Sequence, residues 1–84
     1  MSKKSKLIER LLGRPKDFTW EEACTVMRQC NFERRSGSGS ARMFVHVRTG
    51  QRVRLHEPHP RNTLLPYMVD ALIEALKDAG EIGE

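Results

Sequence analysis

The chain has 84 residues and a formal net charge of +4, with 38% hydrophobic and 31% charged residues. This length allows one small domain, and the composition is typical of a globular rather than a disordered protein. No apolar run approaches the roughly 18 residues of a membrane span, and no signal-peptide core follows the basic start. We therefore expect a cytoplasmic protein that makes no membrane contact.

Positive charge is concentrated in the middle of the chain. Residues 32–61 carry seven arginines and two glutamates, whereas residues 62–84 carry one lysine and five acidic residues. Because arginine suits bidentate contact with phosphate, this distribution predicts that one face binds a polyanion. On charge alone, an ordinary solvated surface remains the alternative.

Two helices are predicted before the basic segment. Leu7, Ile8, Leu11 and Leu12 form a short apolar stripe within residues 2–12. The second helix, residues 20–30, has a capping box in which Thr19 is the N-cap and Glu22 the third helical residue. Asn31 is predicted to end this helix in the left-handed conformation. Residues that share the inner face of this helix are Trp20, Ala23, Cys24, Met27 and Cys30.

The two cysteines lie on this predicted second helix. Cys24 and Cys30 are six residues apart, a spacing that fits neither a disulfide within a helix nor a Cys-x-x-Cys site. We expect reduced core residues of a cytosolic protein.

Three strands are predicted next, at residues 32–35, 41–48 and 52–56. In the third strand Val53 and Leu55 face inward. In the second strand every other residue from position 43 to position 47 is apolar, and these three residues, Met43, Val45 and Val47, are predicted to face inward. A three-residue loop at 49–51 then pairs Val47 with Val53 and, by extension, position 41 with position 59. The predicted outward residues are Arg42, Phe44, His46, Arg48, Arg52, Arg54 and His56.

A last helix begins near residues 63–66 and ends at Gly80. Its apolar positions are Leu65, Val69, Leu72, Ile73 and Leu76. The order α-α-β-β-β-α predicts an α+β fold with helices on one face of a three-stranded antiparallel sheet. We divide the chain into a basic helix and linker, residues 1–17, and a main domain, residues 18–84.

Histidines beside arginines are the residues most suited to chemistry. Histidine near neutral pH can take a proton from a ribose 2′-hydroxyl, and arginine can hold the charge that develops on the phosphate. The alternative is that His46 is solvated and that the corner around His56 and His59 is only a turn. These two histidines have no obvious third ligand, so we expect no metal and no small-molecule cofactor.

The chain resembles the HicA family of bacterial toxins over roughly residues 19–82. The resemblance rests on Gly39-Ser40 before the second strand, Phe44, the basic third strand, Pro58-His59-Pro60, and the ending Leu76-Lys77-Asp78-Ala79-Gly80. It implies a fold like a double-stranded-RNA-binding domain and mRNA cleavage without a metal ion. It also implies inhibition by a HicB-like antitoxin that covers the active site.

The chain departs from the family pattern at one important position. Family members usually read Gly-Ser-His-His, in which the first histidine is catalytic, but here Ala41 and Arg42 follow Ser40. Two interpretations remain. In one, His56 and His59 act as the catalytic residues. In the other, the chain binds RNA, or a protein partner, without cleaving. The candidate RNA-binding residues are Gly39, Ser40, Arg42, His46, Arg48, Arg52, Arg54 and Arg61.

Overall fold

The computed structural model describes residues 6–36, 39, 41–58 and 60–82. Its elements are α1 (Lys6–Leu12), α2 (Trp20–Gln29), β1 (Phe32–Ser36), β2 (Ala41–His46), β3 (Arg52–His56) and α3 (Pro66–Asp78). The strands form one antiparallel sheet in the order β1-β2-β3. This arrangement confirms the predicted α+β fold and element order. None of the helices described has the length and apolar composition that crossing a bilayer requires.

Helix α2 begins with the predicted capping box. The backbone N–H of Glu22 donates to the Thr19 hydroxyl at 3.1 Å, and the backbone N–H of Thr19 donates to the Glu22 carboxylate at 2.9 Å. Asn31 follows the helix with φ 67°, so the left-handed stop is also confirmed. The buried face of α2 comprises Trp20, Ala23, Val26, Met27 and Cys30, and Cys24 is half-buried.

Helix α1 packs on the same core as α2 and α3. Its Ile8 and Leu11 side chains are buried. Arg10 extends this contact at the surface, where its guanidinium lies 2.9 Å from Glu22 and 2.6 Å from Asp17. The same guanidinium lies 5.3 Å from the centre of the Phe18 ring. Burial of apolar side chains, together with these charge contacts, therefore holds α1 in place.

Helix α3 supplies the largest share of the apolar core. Its buried residues are Met68, Val69, Leu72, Ile73, Ala75 and Leu76. Gly80 ends it with φ 77°, as predicted. Leu65 is an exception, because Pro66 starts the helix and leaves Leu65 as the N-cap, with 52% of its surface exposed. The prediction that Leu65 is part of the apolar face of this helix is therefore wrong.

The predicted β2–β3 pairing is also wrong. The structure pairs Phe44 with Val53 and Val45 with Arg52. The connecting loop comprises residues 47–50, since the N–H of His46 donates to the Gln51 carbonyl at 2.8 Å. Gly50 is the last residue of that loop and has φ 77°, which a residue with a side chain rarely adopts.

This pairing reverses the faces predicted for β2. Phe44 and His46 are each 1% exposed and face the helices, whereas Met43 and Val45 are half-buried on the opposite face. Val47, expected inside, lies in the loop and is 57% exposed. The faces predicted for β3 are confirmed, with Leu55 buried, Val53 half-buried and the three basic residues exposed.

Hydrogen bonds to both ring nitrogens allow His46 to be buried. Its Nδ1 accepts the backbone N–H groups of Arg48 at 3.2 Å and Thr49 at 3.1 Å. Because Nδ1 is an acceptor, the ring proton is assigned to Nε2, which donates to the Glu81 carboxylate at 2.6 Å. The ring also packs edge-on against Phe32, with centroids 4.9 Å apart. His46 is therefore a neutral structural residue.

Glu81 joins three parts of the fold. Its carboxylate is 10% exposed and also accepts the side-chain amide of Asn31 at 3.1 Å, with the Arg48 guanidinium 3.5 Å away. The residues following α3 are thus tied to the β2–β3 loop and to the α2–β1 turn.

We expect Glu81→Ala to lower the free energy of unfolding by about 1–3 kcal/mol, because it leaves the buried Nε2–H of His46 without this acceptor. Urea denaturation would measure the change. Glu74→Ala is the matched control, since Glu74 is exposed on α3, and it should shift stability by less than about 0.5 kcal/mol. Equal unfolding midpoints for the two variants would contradict the structural role of Glu81.

A second prediction concerns pH. The backbone hydrogen bond from Thr19, aided by Arg10, lowers the pKa of Glu22. A carboxyl with a lower pKa in the folded state stabilises the fold above its unfolded pKa and loses that contribution as pH falls. We therefore expect Glu22→Gln to be less stable than the parent at pH 7, with the difference shrinking as the pH falls below about 4.3 and disappearing only below the lowered pKa of the folded state. Thermal unfolding from pH 7 to pH 3 would test this, with Glu74→Gln as the control that shows no such convergence.

Candidate nucleic-acid interface

The face of the sheet that points away from the buried side chains is here called the open face. Its central residues, Met43 and Val45 of β2, are half-buried. Its outer positions carry charged or titratable groups, supplied by Glu33, Arg35, Arg52, Arg54 and His56. The open face is therefore a small apolar surface with basic residues beside it.

The arginines of β3 are the cations most accessible to a ligand on the open face. Arg52 and Arg54 are exposed, and neither makes an ion pair with any residue that the structure describes. Arg35 on the opposite edge lies 3.3 Å from Glu33, and both side chains are largely exposed. Such exposed pairs are weak, so a phosphate could replace Glu33 at little cost.

His56 lies directly opposite Ala41 across the β2–β3 ladder. Directly paired residues on antiparallel strands have Cβ atoms about 4.5–5.5 Å apart and point to the same side of the sheet. The prediction that position 41 lies opposite position 59 is therefore wrong, because Ala41 pairs with His56, which is exposed. His59 and Ser40 lie outside the described residues.

Arg42 does not lie on the open face, contrary to prediction. Its guanidinium donates to the carbonyls of Gly39 at 2.9 Å and Ala41 at 2.8 Å, and it lies 3.2 Å from Glu57. The side chain is only 21% exposed. Arg42 therefore holds the start of β2 against the end of β3, and its hydrogen-bonding groups are largely engaged within the protein.

The remaining candidates are spread over the molecule. His46 has no exposed side-chain surface, so it is unsuited to direct contact with RNA. Arg48 is exposed but lies in the β2–β3 loop, at the opposite end of β3 from His56. Gly39 is exposed, with φ 57°. The structure thus groups Arg52, Arg54 and His56 along one strand.

A cleft of about 470 Å³ adjoins His56. Arg61 and Glu57 contribute to its wall, and Leu65 and Met68 from the α3 region provide apolar surface. The exposure of Leu65 was not predicted from the apolar pattern of the sequence. The available signal was Pro66, because proline favours the first helical position and so leaves the preceding leucine outside the helix.

Cys24 is not poised as a nucleophile. Burial raises the pKa of its thiol, and its Sγ accepts a long contact of 3.5 Å from Arg34. Cys24 and Cys30 do not form a disulfide bond. Among the described residues, no three His, Cys, Asp or Glu side chains are grouped as a metal site would require.

Comparison with protein families gives a match over most of the chain. The family model described as HicA toxin of bacterial toxin-antitoxin matches residues 20–81. No match was found among curated proteins or solved structures. The matched region runs from the first residue of α2 to Glu81, and so contains the whole sheet and α3.

Proposed function

The chain belongs to the HicA family and is therefore a toxin of the toxin–antitoxin type, and from this we propose that it is an endoribonuclease that cleaves mRNA without a metal ion. The observation that carries the proposal is the pairing of His56 with Ala41. Ala41 occupies the position at which the family pattern has its catalytic histidine. An imidazole on the paired residue of the next strand would therefore reach the same region of the open face.

His56 is proposed as the general base. It would accept the proton of a ribose 2′-hydroxyl as the 2′-oxygen bonds to the adjacent phosphorus. The bond from phosphorus to the 5′-oxygen then breaks, and a general acid, for which His59 is the candidate, protonates that oxygen. The products are a 2′,3′-cyclic phosphate and a 5′-hydroxyl.

Arginines are proposed to stabilise the charge that develops on the phosphate oxygens. Arg54 lies two residues before His56 on the same strand face, and Arg61 shares the wall of the adjoining cleft with His56. Fixed cations near a developing negative charge lower the barrier of a displacement at phosphorus. The proton transfers and the charge stabilisation thus all come from side chains of this chain.

We expect His56→Gln to slow RNA cleavage by about 10²- to 10⁴-fold, because glutamine cannot transfer the proton. Ala41→His should increase cleavage, since it restores a histidine at the family position. Purified protein, labelled RNA and a buffer containing EDTA would measure both rates. Ala41→Gln is the matched control for a side chain of similar size and should not increase cleavage. An unchanged rate in His56→Gln would refute the role of His56.

A second candidate function is RNA binding without cleavage, and the presence of Ala41 in place of histidine favours it. Both candidates use the same basic surface. They differ in one measurable respect, because a binding module would retain RNA in the assay above without yielding cleaved products. Cleavage by Ala41→His, with no cleavage by the parent chain, would indicate that the parent is such a module.

A toxin of this family has an antitoxin partner, which we propose is HicB-like and covers the open face. If RNA and antitoxin share this face, Arg52→Gln/Arg54→Gln should weaken the binding of both. Titration with labelled RNA and with the HicB-like protein would measure the two affinities. Lys6→Gln/Lys77→Gln removes the same charge from exposed helix positions and should change neither. Loss of RNA affinity with full antitoxin affinity would show that the two surfaces differ.

A further inference from the structure

A second cleft adjoins the one beside His56. Its volume is about 450 Å³, and the two clefts share Arg61, Thr63 and Leu65 in their walls. Together they form what we call the lateral groove, which runs from His56 across Leu65 to Lys16.

Charges within the lateral groove are unevenly balanced. Its two carboxylates are both engaged, since Glu57 lies 3.2 Å from Arg42 and Asp70 lies 2.8 Å from Arg14. Arg61 and Lys16 are exposed, and the described residues include no ion-pair partner for either. The groove therefore presents two available positive charges.

Between these cations the surface is apolar. Leu65 is 52% exposed on the wall common to both clefts, and prolines contribute on either side, Pro60 in the first cleft and Pro15 and Pro66 in the second. An aliphatic surface of this kind suits the flat face of a nucleotide base. A base in a duplex is already stacked on both faces, so only an unpaired base gains from the contact.

The walls of the lateral groove are held by the backbone. Thr19 and Thr63 form an isolated antiparallel bridge, in which the N–H of Leu64 donates to the Phe18 carbonyl at 2.8 Å. The N–H of Trp20 donates to the Asn62 carbonyl at 2.6 Å. The segment between β3 and α3 is thereby fixed to the start of α2, so the groove exists before any ligand arrives.

We propose that the lateral groove binds single-stranded RNA, with an unpaired base on Leu65 and backbone phosphates at Arg61 and Lys16. This inference rests on the proposed function and specifies its substrate as unpaired RNA. Since His56 lies at one end of the groove, the bound strand is led toward the proposed base. An acidic protein segment could also bind Arg61 and Lys16. Binding of such a segment, however, does not explain why the groove extends to His56.

Part of the lateral groove is formed by residues that precede the family match. Arg14, Pro15 and Lys16 line the second cleft, and the matched region begins at residue 20. Packing of Ile8 and Leu11 on the core holds this segment against α3, where Arg14 contacts Asp70. The residues before α2 thus extend the binding surface beyond the sheet.

The test compares variants in a His56→Gln background, so that RNA stays intact. Fluorescence anisotropy would measure the affinity for a labelled, non-self-complementary RNA of about 12 nucleotides, within the range of common single-strand sites, and for the corresponding duplex. Lys16→Gln/Arg61→Gln should make the slope of log affinity against log salt shallower by about 1.4 for the single strand, or about 0.7 per phosphate contact. Lys6→Gln/Lys77→Gln, with the same charge change, should leave that slope unaltered.

Leu65→Ser tests the apolar contact. Serine is a favourable N-cap, so this variant should fold at least as well as the parent. We expect its single-strand affinity to fall about fivefold, the scale of partly burying one leucine, and its duplex affinity to stay constant. Val47→Ser removes a similarly exposed apolar side chain from the β2–β3 loop and should change neither affinity.

The outcomes separate this inference from the proposed function. If the parent binds neither RNA, the proposed function fails and the groove assignment fails with it. If the parent binds RNA, and the groove variants bind it with the same affinity as the parent and the control variants, only the groove assignment is overturned. A protein partner then becomes the better occupant of the groove. Equal losses for single strand and duplex would overturn the assignment to unpaired RNA.

Discussion

The buried imidazole of His46 determines how the sheet is aligned. Its Nδ1 accepts two backbone amides of the β2–β3 loop and its Nε2 donates to Glu81, so both nitrogens of the buried ring have hydrogen-bond partners. With His46 inward, Phe44 must also face the helices, because side chains alternate along a strand. The pairing of Ala41 with His56 is a consequence of the same alignment.

The elements with strong local signals could be predicted from the sequence. The capping box of α2, the stop at Asn31 and the ends of β3 depend on residues that are close together in the chain. The faces of β2 could not be predicted, since Met43, Val45 and Val47 outnumber Phe44 among the apolar residues. The groups that make burial of His46 favourable include Glu81, which is remote in sequence, and no periodicity reveals such a partner.

The candidate site shows the same division between local and distant effects. The exposure of Arg52, Arg54 and His56 follows from alternation within β3 alone, and the structure agrees with it. The inward turn of Arg42 depends on Glu57 and on the Gly39 carbonyl, which come together only when β2 and β3 pair. The arginines in the middle of the chain therefore fall into two groups, those that stabilise the fold and those that are available to a ligand. Only the three-dimensional structure distinguishes the two groups.

The cross-strand pairing also bears on how divergent chains are judged. An alignment compares one column at a time, and in the column of Ala41 this chain has no titratable side chain. A sheet, however, makes neighbours of two columns that are distant in the alignment, and the partner of Ala41 is a histidine. A motif written for paired columns, in which either strand may supply the imidazole, would retain such chains for activity assays that a single-column motif would omit.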